Sequence, residues 1–305
     1  MRGATYESVL RDLALADPRV TVLTAENRAP LRGLDAALGE RFVDVGIAEQ
    51  TLVGMSAGLA LRGRIPVAHA LAAFLTMRAF EFIRTDVGIT RLPVKLVGGV
   101  PGFLSEANGP THQAVEDVGL MRGIPGMKVF APGDAEDLLL GLPEILADAS
   151  PWYVRFNARR AAVKHAPFAP GRAEVLRDGS DAAILTYGAL LTEAVQAAEL
   201  LQGEGVSCRL LNLRTLAPID AEAIVDAAAE TPLLVTLEDH FETGGLFSIV
   251  SELLVRRRVS IPPVLPLALG ARWFTPALLP QVLTEEGFHP IQIAARVLEA
   301  LGRRT

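Results

Sequence analysis

The chain of 305 residues contains a single cysteine, Cys208. One thiol excludes a disulfide framework and any cysteine-built metal site within one chain. It fits a reducing compartment, and the expected location is the cytoplasm. Long apolar runs are also missing. Although 50% of the residues are hydrophobic, the apolar stretches are broken by charge or stop short of the ~18 residues that a membrane span requires. Positive charge is not in excess either. The formal net charge is −6, no basic stripe is visible, and nothing points to nucleic acid. The N-terminal "MRGATYESVLRDLALADPRV" has no apolar h-region and no cleavage signature, so no signal peptide is read. No repeat of solenoid period and no low-complexity tract occurs.

What is present suits a large core in two domains of ordinary size. Short β-branched runs at 19–26, 65–70, 93–99, 127–133 and 151–156 alternate with helical stretches near 49–62, 72–88, 112–122 and 134–148. This is the βαβ rhythm of a parallel sheet covered on both faces. The rhythm breaks at "NARRAAVKHAPFAPGR", which is basic and proline-containing, and resumes with strands at 182–188, 207–213, 231–239 and 262–269. Helices are expected near 190–203, 220–230 and 245–257, with two more at the C-terminus. The expected fold class is α/β with two doubly wound domains, 1–160 and 173–305, joined by a linker at 161–172.

Four stretches have the composition of a site. In "RFVDVGIAEQTLVGMSAGLALRG" one carboxylate, Glu49, stands at the mouth of an apolar run. A charge there is costly unless paired. By spacing alone, capping of a buried helix by Glu49 is the simpler reading, since the helix dipole favours an anion at its start. Gly54 and Gly58 would give that helix a smooth face for close backbone approach. In "SEANGPTHQAVED", His112 is expected close to a helix start, where the dipole disfavours imidazolium. A neutral imidazole can donate or accept a proton at a reacting oxygen, whereas a lone loop histidine is more simply a surface residue. Phe74, with Arg78 one turn on, reads as core packing or as a stacking ring for a flat heterocycle. Last, "EDHFETGGLFSIVSELL" runs from a strand into a Gly-Gly turn, which either presents backbone N–H groups to an anion or is simply a tight connection.

Taken in order, "RFVDVGIAEQ", "FLTMRA", "GPTHQ" and "KVFAPGDAEDL" resemble the pyrimidine-binding domain of thiamine-diphosphate enzymes. The similarity is greatest to transketolase and deoxyxylulose-phosphate synthase, and "LEDHFETGGLFSIVSELL" resembles their C-terminal domain. The resemblance covers essentially the whole chain, and "GIAEQ" with "GPTHQ" is specific as a pair. Full-length members also carry an N-terminal domain whose Gly-Asp-Gly motif and downstream Asn hold the magnesium bridging the cofactor's diphosphate. No Gly-Asp-Gly string occurs here. The resemblance therefore implies the C-terminal subunit of a split transketolase. An N-terminal partner subunit would supply the Mg2+ and diphosphate site, and no metal ligand is expected in this chain. A homodimer of this chain within an α2β2 assembly is implied as well.

Residue by residue, the match implies that Glu49 hydrogen-bonds N1′ of the cofactor's aminopyrimidine. Protonation there favours the imino tautomer that removes the weakly acidic C2 proton. Phe74 would stack on the pyrimidine, with Arg78 close by. His112 would meet a substrate oxygen or the cofactor's amino group, and Arg155 would grip a sugar phosphate, which suits its planar fork. Asn108 stands where the family usually reads the acceptor hydroxyl with Asp. A phosphate-contacting histidine is replaced by an apolar residue near Val100, and a phosphate-binding serine aligns approximately with Glu26, whose carboxylate would repel phosphate. The expectation is transfer of a two-carbon ketol unit to an atypical acceptor, unphosphorylated or not a sugar. A pyruvate-using subunit of the deoxyxylulose-phosphate synthase or dehydrogenase-E1β kind is the enzyme alternative. A non-catalytic scaffold is the other.

Overall fold

The computed structural model describes residues 3–303. Two sheets organise it. The first contains β1 (Val20–Thr24), β2 (Phe42–Asp44), β3 (Ile65–Leu71), β4 (Lys95–Gly99), β5 (Lys128–Phe130) and β6 (Trp152–Arg155). The second contains β7 (Glu174–Arg177), β8 (Ala182–Thr186), β9 (Cys208–Asn212), β11 (Leu234–Phe241) and β12 (Val264–Leu269). The remaining strand, β10 (Thr215–Ala217), follows β9 in the chain but joins the first sheet, antiparallel to β5. The orders are β10-β5-β6-β4-β3-β1-β2 and β12-β11-β8-β9-β7. All pairings are parallel except those of β10 and β7. The central strands β1, β4 and β8 are buried along their whole length, as helices on both faces of a parallel sheet require.

The expected α/β architecture is present, with differences that have local causes. β2, β7 and β10, each of three or four residues, lie outside the expected strands. The helix Tyr6–Ala16, with a capping box between Thr5 and Ser8, begins in the stretch read only for its lack of a signal. The segment expected as one helix over 72–88 is broken into π-helical turns at Phe74–Arg78 and Ile83–Gly88 around a short α-helical piece.

In the first sheet the chain leaves β1 toward β2 on one side and returns to β3 on the other. Such a reversal opens a crevice at the carboxyl ends of the strands. The loops after β1, β3 and β4 converge on that edge. The two halves also share core: Phe103, from the loop after β4, packs edge-on against Phe274 and Phe288 at 5.1 and 4.9 Å between ring centres.

The segment between β6 and β7 is fastened to both sheets. His165 is buried, its Nε2 2.8 Å from Asp134 Oδ2 and its Nδ1 2.8 Å from Glu174 Oε2. Asp134 also caps the helix Ala135–Ala147. Arg214 closes the cluster on Asp137, Glu174 and the Ala166 carbonyl. Burial by itself would lower the His165 pKa, but the hydrogen bonds its two ring N–H groups donate to Asp134 and Glu174 outweigh it and hold the pKa up at about 10. A raised folded-state pKa contributes stability that is complete below the unfolded value, 6.5, and is lost as pH rises through the folded one. Urea unfolding should therefore show stability falling from pH 6.5 toward pH 10, and His165→Asn should flatten that fall. A wild-type slope unchanged by the substitution would remove His165 as its source.

Candidate functional site

Glu49 opens the helix Glu49–Leu61 and is 2% exposed. It does not cap: the N-cap position is Ala48, and no side chain serves there. The carboxylate turns instead to Arg78, whose Nη1 donates to Glu49 Oε2 at 2.9 Å. Gly54 and Gly58 lie on the side of this helix away from the core, with Gly58 exposed and no atom within 4 Å of where a methyl group would sit. The smooth face is thus outward, not buried.

Arg78 ends the π-helical turn that follows β3, closed by Ala79 N–H donating to the Phe74 carbonyl at 3.3 Å. Such widened turns concentrate at functional sites. Here the turn sets the Arg78 guanidinium over the Phe74 ring, 4.3 Å from its centre, a favourable cation–π distance. His112 meets the same ring edge-on at 4.9 Å. Glu49, Arg78, Phe74 and His112 therefore form one contiguous chain of contacts.

The environment of His112 differs from expectation. It lies in a turn, and the next helix begins only at Asp117 and has six residues, so no helix dipole acts on the imidazole. Its side-chain hydrogen bond among the described residues runs from Nδ1 to Thr111 Oγ1, 2.9 Å, which leaves Nε2 for another partner. Asn108 is exposed, and its amide donates to the Ser105 carbonyl at 2.9 Å.

Arg155 is the clear correction. It is 2% exposed, with Nε on Asp117 Oδ2 at 2.9 Å and Nη1 on Asp239 Oδ1 at 2.7 Å. A guanidinium buried between two carboxylates is not displayed to a sugar phosphate in the cleft. The Gly-Gly turn is likewise occupied. Glu238 accepts the Leu246 and Phe247 N–H groups at 2.6 and 2.9 Å, so the start of that helix holds an internal carboxylate and not an external anion. Glu26 and Val100, after β1 and β4, both adopt left-handed backbone, φ 53° and 47°. That conformation is costly for a β-branched residue and typical of ligand-binding edges.

An open cleft of about 500 Å³ runs past Phe74 and Arg78, bounded by Met77, Pro110, Thr111, Glu116 and Trp273. Glu116 is half-buried, and that burial raises its pKa. Sequence reasoning missed Glu116 and Trp273. Glu116 lay inside a quoted motif and was passed over. Trp273 comes from the second half of the chain, and no local pattern ties it to this edge. Among the described residues no group of three or more His, Cys, Asp or Glu is placed to hold a metal ion, and no helix is long and apolar enough to cross a membrane.

The donor set fits an aminopyrimidine. Glu49 Oε1 has no hydrogen bond among the described residues while Oε2 is held by Arg78, the Phe74 ring lies under the same guanidinium, and His112 Nε2 has no partner among the described residues.

Comparison with known proteins identifies a family for the whole chain. Residues 3–162 match the family described as "Transketolase, pyrimidine binding domain", and residues 171–293 match "Transketolase, C-terminal domain". The chain is 39% identical over 256 residues to the 6-deoxy-6-sulfo-D-fructose transketolase subunit SqwH of Clostridium sp. (strain MSTE9), covering 82% of this chain and 79% of the relative. It is 35% identical over 301 residues to a 1-deoxy-D-xylulose-5-phosphate synthase of Synechococcus sp. (strain JA-2-3B'a(2-13)), covering 96% of this chain but 46% of that protein. A solved structure described as "Split gene transketolase, inactive beta4 tetramer" superposes with a TM-score of 0.87 at 33% identity, over 98% of both chains.

The Glu49–Arg78 pair makes an asymmetric prediction. Arg78→Ala strands a carboxylate that is 3% exposed, whereas Glu49→Ala strands a guanidinium that is 42% exposed and turns to water. Arg78→Ala should cost about 1–3 kcal/mol in urea unfolding, and Glu49→Ala clearly less. Equal losses would mean that the carboxylate has another partner.

Proposed function

Since this chain belongs to the transketolase family, we propose that it is the C-terminal subunit of a two-component, thiamine-diphosphate-dependent transketolase. It transfers a two-carbon ketol unit from a ketose-type donor to an aldehyde acceptor. The observation that carries this reading is the contact chain Glu49–Arg78–Phe74–His112 beside an open cleft. When bound, thiamine diphosphate supplies the nucleophilic carbon and the electron sink that carbon–carbon cleavage needs.

The chain's own residues do the rest. Glu49 Oε1 is left to hydrogen-bond the pyrimidine nitrogen, and the apolar helix behind it keeps water from that bond. Arg78 fixes the carboxylate through Oε2. Phe74 orients the flat ring. His112 turns Nε2 toward the oxygen of the reacting carbonyl and exchanges a proton there. The diphosphate and Mg2+ belong, in this reading, to an N-terminal partner subunit with the Gly-Asp-Gly and Asn motif. Pairing of two such chains with two partners in the cytoplasm completes the assembly.

The acceptor is unphosphorylated. Arg155 is closed off between Asp117 and Asp239, Glu26 puts an exposed carboxylate at the end of β1, and Glu116 lines the cleft. By its name, the relative SqwH acts on a sugar with a sulfo group in place of the 6-hydroxyl, an anion other than phosphate, which supports substrates beyond ordinary sugar phosphates. The similarity to 1-deoxy-D-xylulose-5-phosphate synthase keeps a pyruvate-using activity as the second reading.

Co-expression with a partner carrying the Gly-Asp-Gly motif should give ketol transfer that requires both chains, Mg2+ and thiamine diphosphate, with hydroxypyruvate preferred over pyruvate. Glu49→Ala should lower kcat by at least about 10²-fold. Full activity of that variant would leave the chain a scaffold, and turnover by this chain alone would end the split reading. A strong preference for ribose 5-phosphate over unphosphorylated aldehydes would overturn the acceptor assignment.

A further inference from the structure

We propose that Asp239, on the second sheet, is a positioning residue that sets the loop carrying His112. This rests on the role given to His112 above. The loop spans 102–116 and is closed at its neck by Gly102 N–H donating to the Ala114 carbonyl at 2.9 Å. Its tip at 107–108 and 110–111 is exposed, whereas residues at both stems are buried.

Both stems are held from the second half of the chain. Asp239 Oδ2 accepts the Phe103 N–H at 3.3 Å, and Asp239 Oδ1 accepts Arg155 Nη1 at 2.7 Å. The same guanidinium reaches, through Nε, Asp117 Oδ2 at the far end of the loop, an oxygen that also accepts the Tyr153 hydroxyl at 2.6 Å. One carboxylate–guanidinium–carboxylate bridge therefore ties the first stem to the last. Around it, Phe241 N–H donates to the Val115 carbonyl at 2.8 Å, and Gln113 Nε2 donates to the Phe274 carbonyl at 2.9 Å.

Gly102 shows how tight the seating is. Its φ is +55°, and a methyl group on it would lie 1.9 Å from Asp239 Oδ2. The close approach of Asp239 to the loop backbone thus depends on glycine at this position. Asp239 is itself fully buried and does not line the cleft, so it acts on the reaction only through the loop.

Asp239→Asn is nearly isosteric and separates positioning from packing. An amide offers one oxygen. If that oxygen stays on Arg155, the NH2 group meets the Phe103 N–H, donor against donor, and the stem is released.

Hydrogen exchange on the chain alone should show protection at 103–115 falling about tenfold or more, with the helix Leu191–Gly203 unchanged. In the assembled complex, kcat should drop by about tenfold or more while KM for the donor stays within about threefold, because misplacing a reacting group costs rate more than binding. Gly102→Ala, acting from the other side of the same contact, should give the same selective loosening.

Unchanged protection in the loop, loss spread evenly over both sheets, or selective loosening with normal kcat would each overturn the proposal. A wild-type complex with no ketol transfer would instead defeat the proposed function, and the exchange pattern would still decide whether Asp239 positions the loop.

Discussion

A guanidinium buried between two carboxylates joins the halves of this protein. Arg155 closes β6, Asp117 starts the helix after the His112 loop, and Asp239 lies on β11. Removing Arg155 would leave two carboxylates without compensation in the interior, and breaking a buried pair in this way costs about 3–5 kcal/mol in comparable cases. The three residues are therefore held together once the halves dock. That docking brings the loop after β4 under the control of the second sheet, and with it the imidazole that faces Phe74.

The cleft edge depends on a second, smaller arrangement. The reversal of strand order between β1 and β3 opens the carboxyl edge of the first sheet, and the widened turn after β3 places Phe74 and Arg78 over it. Arg78 serves two partners, a ring face and the buried carboxylate of Glu49. A regular α-helical turn would close its hydrogen bonds four residues back, without the added width. The mouth carries the carboxylates of Glu26 and Glu116, while Arg155 is buried on acidic partners inside the protein and away from the cleft. Both facts favour an acceptor without a phosphate.

Much of this was legible in the residues. The longer strands and most helices follow from apolar periodicity, which is local and survives in any context. "GIAEQ" and "GPTHQ" singled out Glu49 and His112, which the structure links through Arg78 and Phe74. Three short strands were not legible: β2, β7 and β10 are held by their neighbours rather than by their own apolar pattern. β10 shows the limit well. It lies in the second half of the sequence yet pairs with β5, and pairing across more than eighty residues leaves no trace in local composition.

Arginine partners mark the same boundary. That Glu49 is a carboxylate at the start of an apolar helix is a property of the sequence alone, since helix spacing is counted along the chain. That it pairs with Arg78, 29 residues away, was decided only by folding, as was the inward turn of Arg155. A guanidinium fits phosphate and carboxylate equally well, and its type does not say which it will meet. The choice depends on which acids packing brings to within about 3 Å, and Asp239, 84 residues from Arg155, is brought there by the docking of the two halves.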